Sequence, residues 1–129
     1  MLLPKFGWIW VVVGLALAHG DGVFSAEHPQ VWLEAGQALV YLSLANKAPK
    51  LVKIVKAESP VAAAVELRKG TQEIKALEVP ARGKLELRPG GYTIVLQKLT
   101  RRLKPGDLVP VILWLDDKDT FAVLAEVQR

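Results

Sequence analysis

The chain predicts an all-β fold, an antiparallel sandwich of seven or eight short strands. Three observations carry that expectation. Turn signals built on Pro, Gly and Asn recur at short, fairly regular intervals, with apolar runs of strand length between them. Downstream of the first segment, no apolar pattern of period 3.6 persists for three turns. The run Lys84-Leu85-Glu86-Leu87 alternates apolar and charged residues, as a strand with one face in water should. This strand count and turn spacing favour a sandwich, with a closed barrel as the alternative.

Each element has its own warrant. Residues 37–45 (QALVYLSLA) are rich in strand formers and end at the turn Asn46-Lys47-Ala48-Pro49. Residues 50–58 (KLVKIVKAE) set Leu51, Ile54 and Val55 among lysines and read as a half-buried strand, broken by Ser59-Pro60. Residues 62–67 fit either a helical turn or the start of a strand, ended by Gly70. Residues 74–79 form a strand stopped by Pro80, and Ala81-Arg82-Gly83 turns the chain. In Arg88-Pro89-Gly90-Gly91 proline presets one dihedral and glycine accepts a positive φ, so this is a tight turn. Residues 92–99 continue as a strand, and Lys104-Pro105-Gly106-Asp107 turns again. Residues 108–115 make a long apolar strand covered on both faces, and residues 116–119 close a hairpin onto 120–127.

The first segment stands apart. Lys5 precedes an almost unbroken apolar run at residues 6–17 (FGWIWVVVGLAL), shorter than the roughly 20 residues that span a bilayer. Ala16-Leu17-Ala18 then offers a small-x-small cleavage site. Residues 1–18 are therefore expected to be a secretory signal peptide, with the cut as late as residue 26 at the outside, ahead of a single domain at 27–129. An uncleaved anchor is the alternative. Either way the domain is expected outside the cytoplasm, in a bacterial periplasm or on the outer face of the cytoplasmic membrane, and it touches membrane only if the first segment is retained.

With no cysteine, the chain can form no disulfide, thiolate metal site or redox pair. Net charge is +4, with basic residues gathered at 98–104 (KLTRRLK). No aromatic residues interleave with them, so nucleic acid is not the expected partner. Asp116, Asp117 and Asp119 lack the ligand spacing of a calcium loop and read as a turn. Ser25, Ser43 and Ser59 have no histidine at a triad position to activate them. Gly90-Gly91 precedes a strand, not a helix, and so does not cradle phosphate. Trp32 and Trp114 are expected in the core. An enzyme is not expected.

Several pieces share an order. They are Gln30-Val31-Trp32, residues 38–46 (ALVYLSLAN), Leu51-Val52, Ser59-Pro60, Val65-Glu66-Leu67, Pro80, Gly83, Leu85-Glu86-Leu87, Pro89-Gly90-Gly91-Tyr92, Leu99 and Leu103-Lys104-Pro105-Gly106-Asp107. Together they resemble the PCu(A)C family of extracytoplasmic copper chaperones across almost the whole domain. The resemblance implies a cupredoxin-like Greek-key sandwich that holds copper(I) through a His, a Met and a His-x-Met pair. Cuprous ion is soft and suits thioether sulfur and imidazole nitrogen. A strand repeats every two residues, so His-x-Met places both donors on one face. Here Arg68, Ile74, Thr93 and Val95 stand at the four ligand positions, and the segment between Arg68 and Ile74 is shorter than the family's hairpin. Met1 is the only methionine, and His19 and His28 are the only imidazoles.

The expectation is therefore a family member without metal or other cofactor. It would serve as a binding or assembly module for an extracytoplasmic protein partner, in the setting of respiratory-oxidase metallation that the resemblance implies, with Arg68 as a contact residue. Two alternatives stay open. One is a copper carrier with a site rebuilt on His19 or on His28, otherwise an exposed residue at a strand edge. The other is a cell-envelope structural domain held by an uncleaved first segment.

Overall fold

The computed structural model describes residues 23–129. The apolar run, the cleavage site after Ala18, and His19 lie outside the described residues. Ten strands follow: β1 (Phe24–Glu34), β2 (Gln37–Asn46), β3 (Val52–Glu58), β4 (Ala62–Lys69), β5 (Gln72–Glu73), β6 (Leu77–Val79), β7 (Gly83–Leu87), β8 (Tyr92–Leu99), β9 (Leu108–Leu115) and β10 (Thr120–Val127). They form one curled sheet in the order β5-β4-β8-β7-β2-β1-β10-β9-β3-β6, with β8 also paired to β2. The all-β expectation holds, and the strand count exceeds it. The edges of β3 and β4 face each other without hydrogen-bonding as a ladder, so the described sheet does not close into a barrel.

Period-two burial builds the core. Ala38, Val40, Leu42 and Leu44 of β2 point inward, as do Val109, Val111, Leu113 and Leu115 of β9 and Phe121, Val123, Ala125 and Val127 of β10. Phe24 and Phe121 meet edge to face, with ring centroids 5.0 Å apart. The alternate residues of β9 are only half covered, so this strand has one buried face, not two.

Three differences from the expected elements account for the extra strands. β1 is a long strand starting at Phe24, upstream of residue 27, and joined to β2 through Ala35-Gly36, both at positive φ (52° and 80°). Such a two-residue turn matches the twist of a hairpin, but Ala-Gly is a weak signal for it. Residues 62–69 resolve the helix-or-strand ambiguity as strand, because β8 pairs with them along almost their whole length. Of the strand expected at 74–79 only 77–79 form, as β6 paired with β3; the separate two-residue β5 before it pairs with β4, and the chain crosses between them at 74–76.

The facing of two other groups also differs. In β3, a bulge between Ile54 and Lys56 puts Val52, Ile54 and Ala57 in the core and leaves Val55 44% exposed and Leu51 outside. Neither tryptophan is a core residue. Trp32 is 40% exposed, its Nε1 donating to Gln30 Oε1. Trp114 lies on the outer face of β9, where its Nε1 donates to Glu58 Oε1 at 3.0 Å and Lys56 Nζ sits 5.7 Å from the ring centroid. A ring with one polar atom favours such a half-wet position.

Candidate functional site

The register of β4 against β8 sets Arg68 opposite Thr93 and Glu66 opposite Val95. Directly opposed residues share a face of the sheet, so these four side chains form a patch on its outer side. Leu67, Ile94 and Leu96 point the other way, into the core. Leu39 of β2 adjoins Val95 in register. Val95 is fully buried, yet it does not belong to the core cluster; its cover comes from the outer face.

Polar atoms in the patch satisfy one another. Arg68 Nε donates to Glu66 Oε1 at 2.5 Å, with both side chains about a quarter exposed. Thr93, itself buried, donates its hydroxyl proton to the carbonyl of Val40 at 3.1 Å. Tyr41 adjoins it through a side-chain hydrogen bond with Thr93. Burial, with the Glu34 carboxylate adding to it, holds the Tyr41 phenol above its ordinary pKa, and the Thr93 hydrogen bond offsets part of this.

Three of the four positions singled out in the sequence thus converge. The fourth does not: Ile74 packs against the core, its N–H donating to the carbonyl of Leu67 at 2.9 Å. It lines a concavity of about 470 Å³ between the facing edges of β3 and β4, with Val55, Val65 and Leu67. The short β4–β5 connection sends the chain around the edge of the sheet and back toward its inner side.

His28 lies in β1, at a bulge between Glu27 and Gln30 and at φ 53°. It is exposed and borders a concavity of about 350 Å³ with Trp32, Tyr41, Glu86, Arg88 and Pro89. Tyr41 therefore touches both this hollow and Thr93. Among the described residues, no three His, Asp or Glu side chains are grouped to hold a metal ion. Asp116, Asp117 and Asp119 form the β9–β10 turn, the Asp119 N–H donating to Asp117 Oδ1 at 3.0 Å. Sequence reasoning missed Glu66 and Tyr41. Glu66 could have been found, since it stands two residues before Arg68 on one strand and so on the same face; Tyr41 needed the β2–β8 pairing.

This sheet, with its outer patch on β4 and β8, is the fold of PCuAC domains. The copper-bound PCuAC domain from PmoF2 superposes with a TM-score of 0.74 at 20% identity, over 83% of this chain and 93% of that one. The apo PCuAC domain from PmoF1 gives 0.75 at 19% identity, over 83% and 94%. The copper(I) form of DR1885 from Deinococcus radiodurans is 31% identical, with a TM-score of 0.68, over 82% of this chain and 76% of that one. A family model described as lipoprotein LpqE-like matches residues 23–127. The chain belongs to the LpqE-like family. No curated protein matches it.

Proposed function

We propose that this chain is an exported, non-catalytic member of the copper-chaperone fold that has given up the copper(I) site and binds a protein partner outside the cytoplasm. The observation that carries this reading is the chemistry of the convergent patch. Arg68 brings a permanent cation, Val95 a hydrocarbon, and Thr93 a hydroxyl whose proton is engaged by a backbone carbonyl. Such a set does not fit a soft monovalent cation, which needs sulfur or imidazole and no positive charge beside it. The Glu66–Arg68 pair supplies its own counterion, so the patch is electrostatically complete without a metal. The planar guanidinium of Arg68, about a quarter exposed, suits a carboxylate of a partner protein. Work in oxidase metallation is the setting that the family resemblance suggests.

Export rests on the apolar run at 6–17 and on the family description as lipoprotein. None of the 129 residues is a cysteine, so no thiol in this sequence can carry a thioether-linked lipid. Retention at a membrane would fall to residues 6–17 themselves. Among the described residues, no helix is long and apolar enough to cross a membrane.

A copper(I) titration against a competing chelator tests the reading, with a built-in positive control. The wild-type protein should hold no copper(I) at sub-micromolar affinity. The variant Arg68→His, Thr93→His, Val95→Met puts three soft donors on the face where these positions already converge, and it should gain that affinity. One tightly held equivalent in the wild type would overturn the proposal. If His28→Ala then abolished that binding, the site rebuilt on His28 would be the correct reading.

A further inference from the structure

At the end of the sheet where the chain enters β1, two loops are locked together by one side chain. Asn46, 1% exposed, donates from Nδ2 to the carbonyls of Lys50 (2.9 Å), Val79 (3.2 Å) and Pro80 (3.1 Å). Its Oδ1 accepts from the Ala48 N–H at 2.9 Å. The Arg82 N–H in turn donates to the Ala48 carbonyl at 3.0 Å, and Arg82 is held at φ 53°. Loops tied in this way present their side chains from a fixed base. Those side chains are Lys47, Arg82 and Lys84, which border one concavity of about 410 Å³. All three are exposed.

Of these three, Lys84 has an ion-pair partner among the described residues, Glu27, at a loose 3.8 Å. The carboxylates of the β9–β10 turn belong to this end too; in the sheet order β1 stands between β2 and β10. The chain reaches this face directly: the Lys47 N–H donates to the Val23 carbonyl at 2.7 Å. Only five residues, AHGDG with the single carboxylate Asp21, separate the apolar run ending at Leu17 from Val23. Five residues reach at most about 18 Å, so wherever that run is buried, the cationic loops are close to it.

We propose that Lys47, Arg82 and Lys84 form a docking surface for the anionic headgroups of a bilayer. The inference adds to the functional reading above and does not depend on copper. It concerns the chain that retains residues 6–17. A basic residue beside an anionic leaflet contributes about 1 kcal/mol, and three on a rigid base act together within a Debye length of the surface. Docking here would turn the opposite end of the sheet, with the β8–β9 loop, toward solvent.

Lysine footprinting tests this on the full chain reconstituted into vesicles of phosphatidylcholine, with and without phosphatidylglycerol. A membrane-impermeant acylating reagent labels exposed amines, read by mass spectrometry. On the anionic vesicles, labelling of Lys47 and Lys84 should fall by on the order of fivefold, recovering in high salt, while Lys98 and Lys104 label equally on both. Arg82→Glu, an exposed substitution, should weaken the protection of both lysines. Equal labelling on the two vesicle types would overturn the proposal. So would protection of Lys98 and Lys104 in place of Lys47 and Lys84, protection unchanged by Arg82→Glu, or the same protection from inorganic phosphate without vesicles. N-terminal mass analysis of the exported protein separately tells whether residues 6–17 are retained in the cell.

Discussion

Asn46 shows what a single residue contributes beyond its local preference. Asparagine favours turns because its side chain bonds nearby backbone, and the Ala48 contact is of that kind. Its amide also bridges to Val79 and Pro80, 33 and 34 residues away in sequence, at a position shielded from water. Asn46→Ala would leave the Ala48 N–H and three carbonyls to find other partners in a buried place. A loss of about 2–3 kcal/mol is expected, read as a lower urea midpoint with an unchanged slope. A loss below about 0.5 kcal/mol would mean that water replaces the amide and that the latch is weak. The turn at 46–49 was legible in the sequence; the bridge was not, since nothing local shows which distant carbonyls a side chain will reach. Arg68, Thr93 and Val95 were legible through a family frame; strand periodicity puts Thr93 and Val95 on one face, and the β4–β8 register brings Arg68 to them. Ile74 shows the limit of that frame: the shortened turn after β4 carries it away to the core, and ligand order along a chain does not register such a change.

At the scale of the element, β8, β9 and β10 were readable because each is a largely apolar run of eight residues after or before a clear turn; the alternating burial of β9 and β10 appears only in the structure, and β8 does not alternate. β1 was readable only in part, since its His28-Pro29 bulge interrupts the alternation. β3 was read as a half-buried strand, but which of Leu51, Ile54 and Val55 faces the core was not legible, because a bulge that the sequence does not announce sets it. Its outer face carries a small polar system with β9: Trp114 and Lys56 both contact Glu58, with Lys56 Nζ 3.1 Å from Glu58 Oε2. The Trp114 hydrogen bond, followed by the contact with Lys56, holds the Glu58 carboxyl below its ordinary pKa. The sign follows from linkage. A depressed acid pKa adds stability above the unfolded-state value, and that contribution is lost as pH falls through the folded-state value. Glu58 is solvent-exposed, so the change in global stability is small. Its own titration is the better observable. In Trp114→Phe the Glu58 carboxyl should titrate closer to the ordinary value, as followed by carboxyl-carbon NMR. An unchanged titration would show that the indole N–H does not hold the carboxylate in solution.

For the molecule as a whole, the sheet separates two tasks by strand parity. Leu67, Ile94 and Leu96 bind the layers together, while Glu66, Arg68, Thr93 and Val95 occupy the other face of the same strands. Substitution at the outer positions can change what the patch binds without unpacking the core. The amino-terminal boundary has no such freedom. β1 lies between β2 and β10, pairing antiparallel with one and parallel with the other. Its first residue, Phe24, is fully buried against Phe121, and the residues 24–26 pair with Asn46, Ala45 and Leu44. A chain beginning at His19 keeps all of this. One beginning at Glu27 loses the Phe24 ring from the core and three pairings from the ladder. Removing a buried phenylalanine costs about 3–5 kcal/mol, against a total stability of about 5–15 kcal/mol for a domain. Urea unfolding of the two chains should therefore differ by at least about 3 kcal/mol, with the Glu27 form partly unfolded or aggregating at ambient temperature. Equal midpoints would mean that β1 contributes only downstream of its bulge. If the difference is found, processing after Ala26 is incompatible with a stable product, and a cut that spares β1 must fall at or before residue 23.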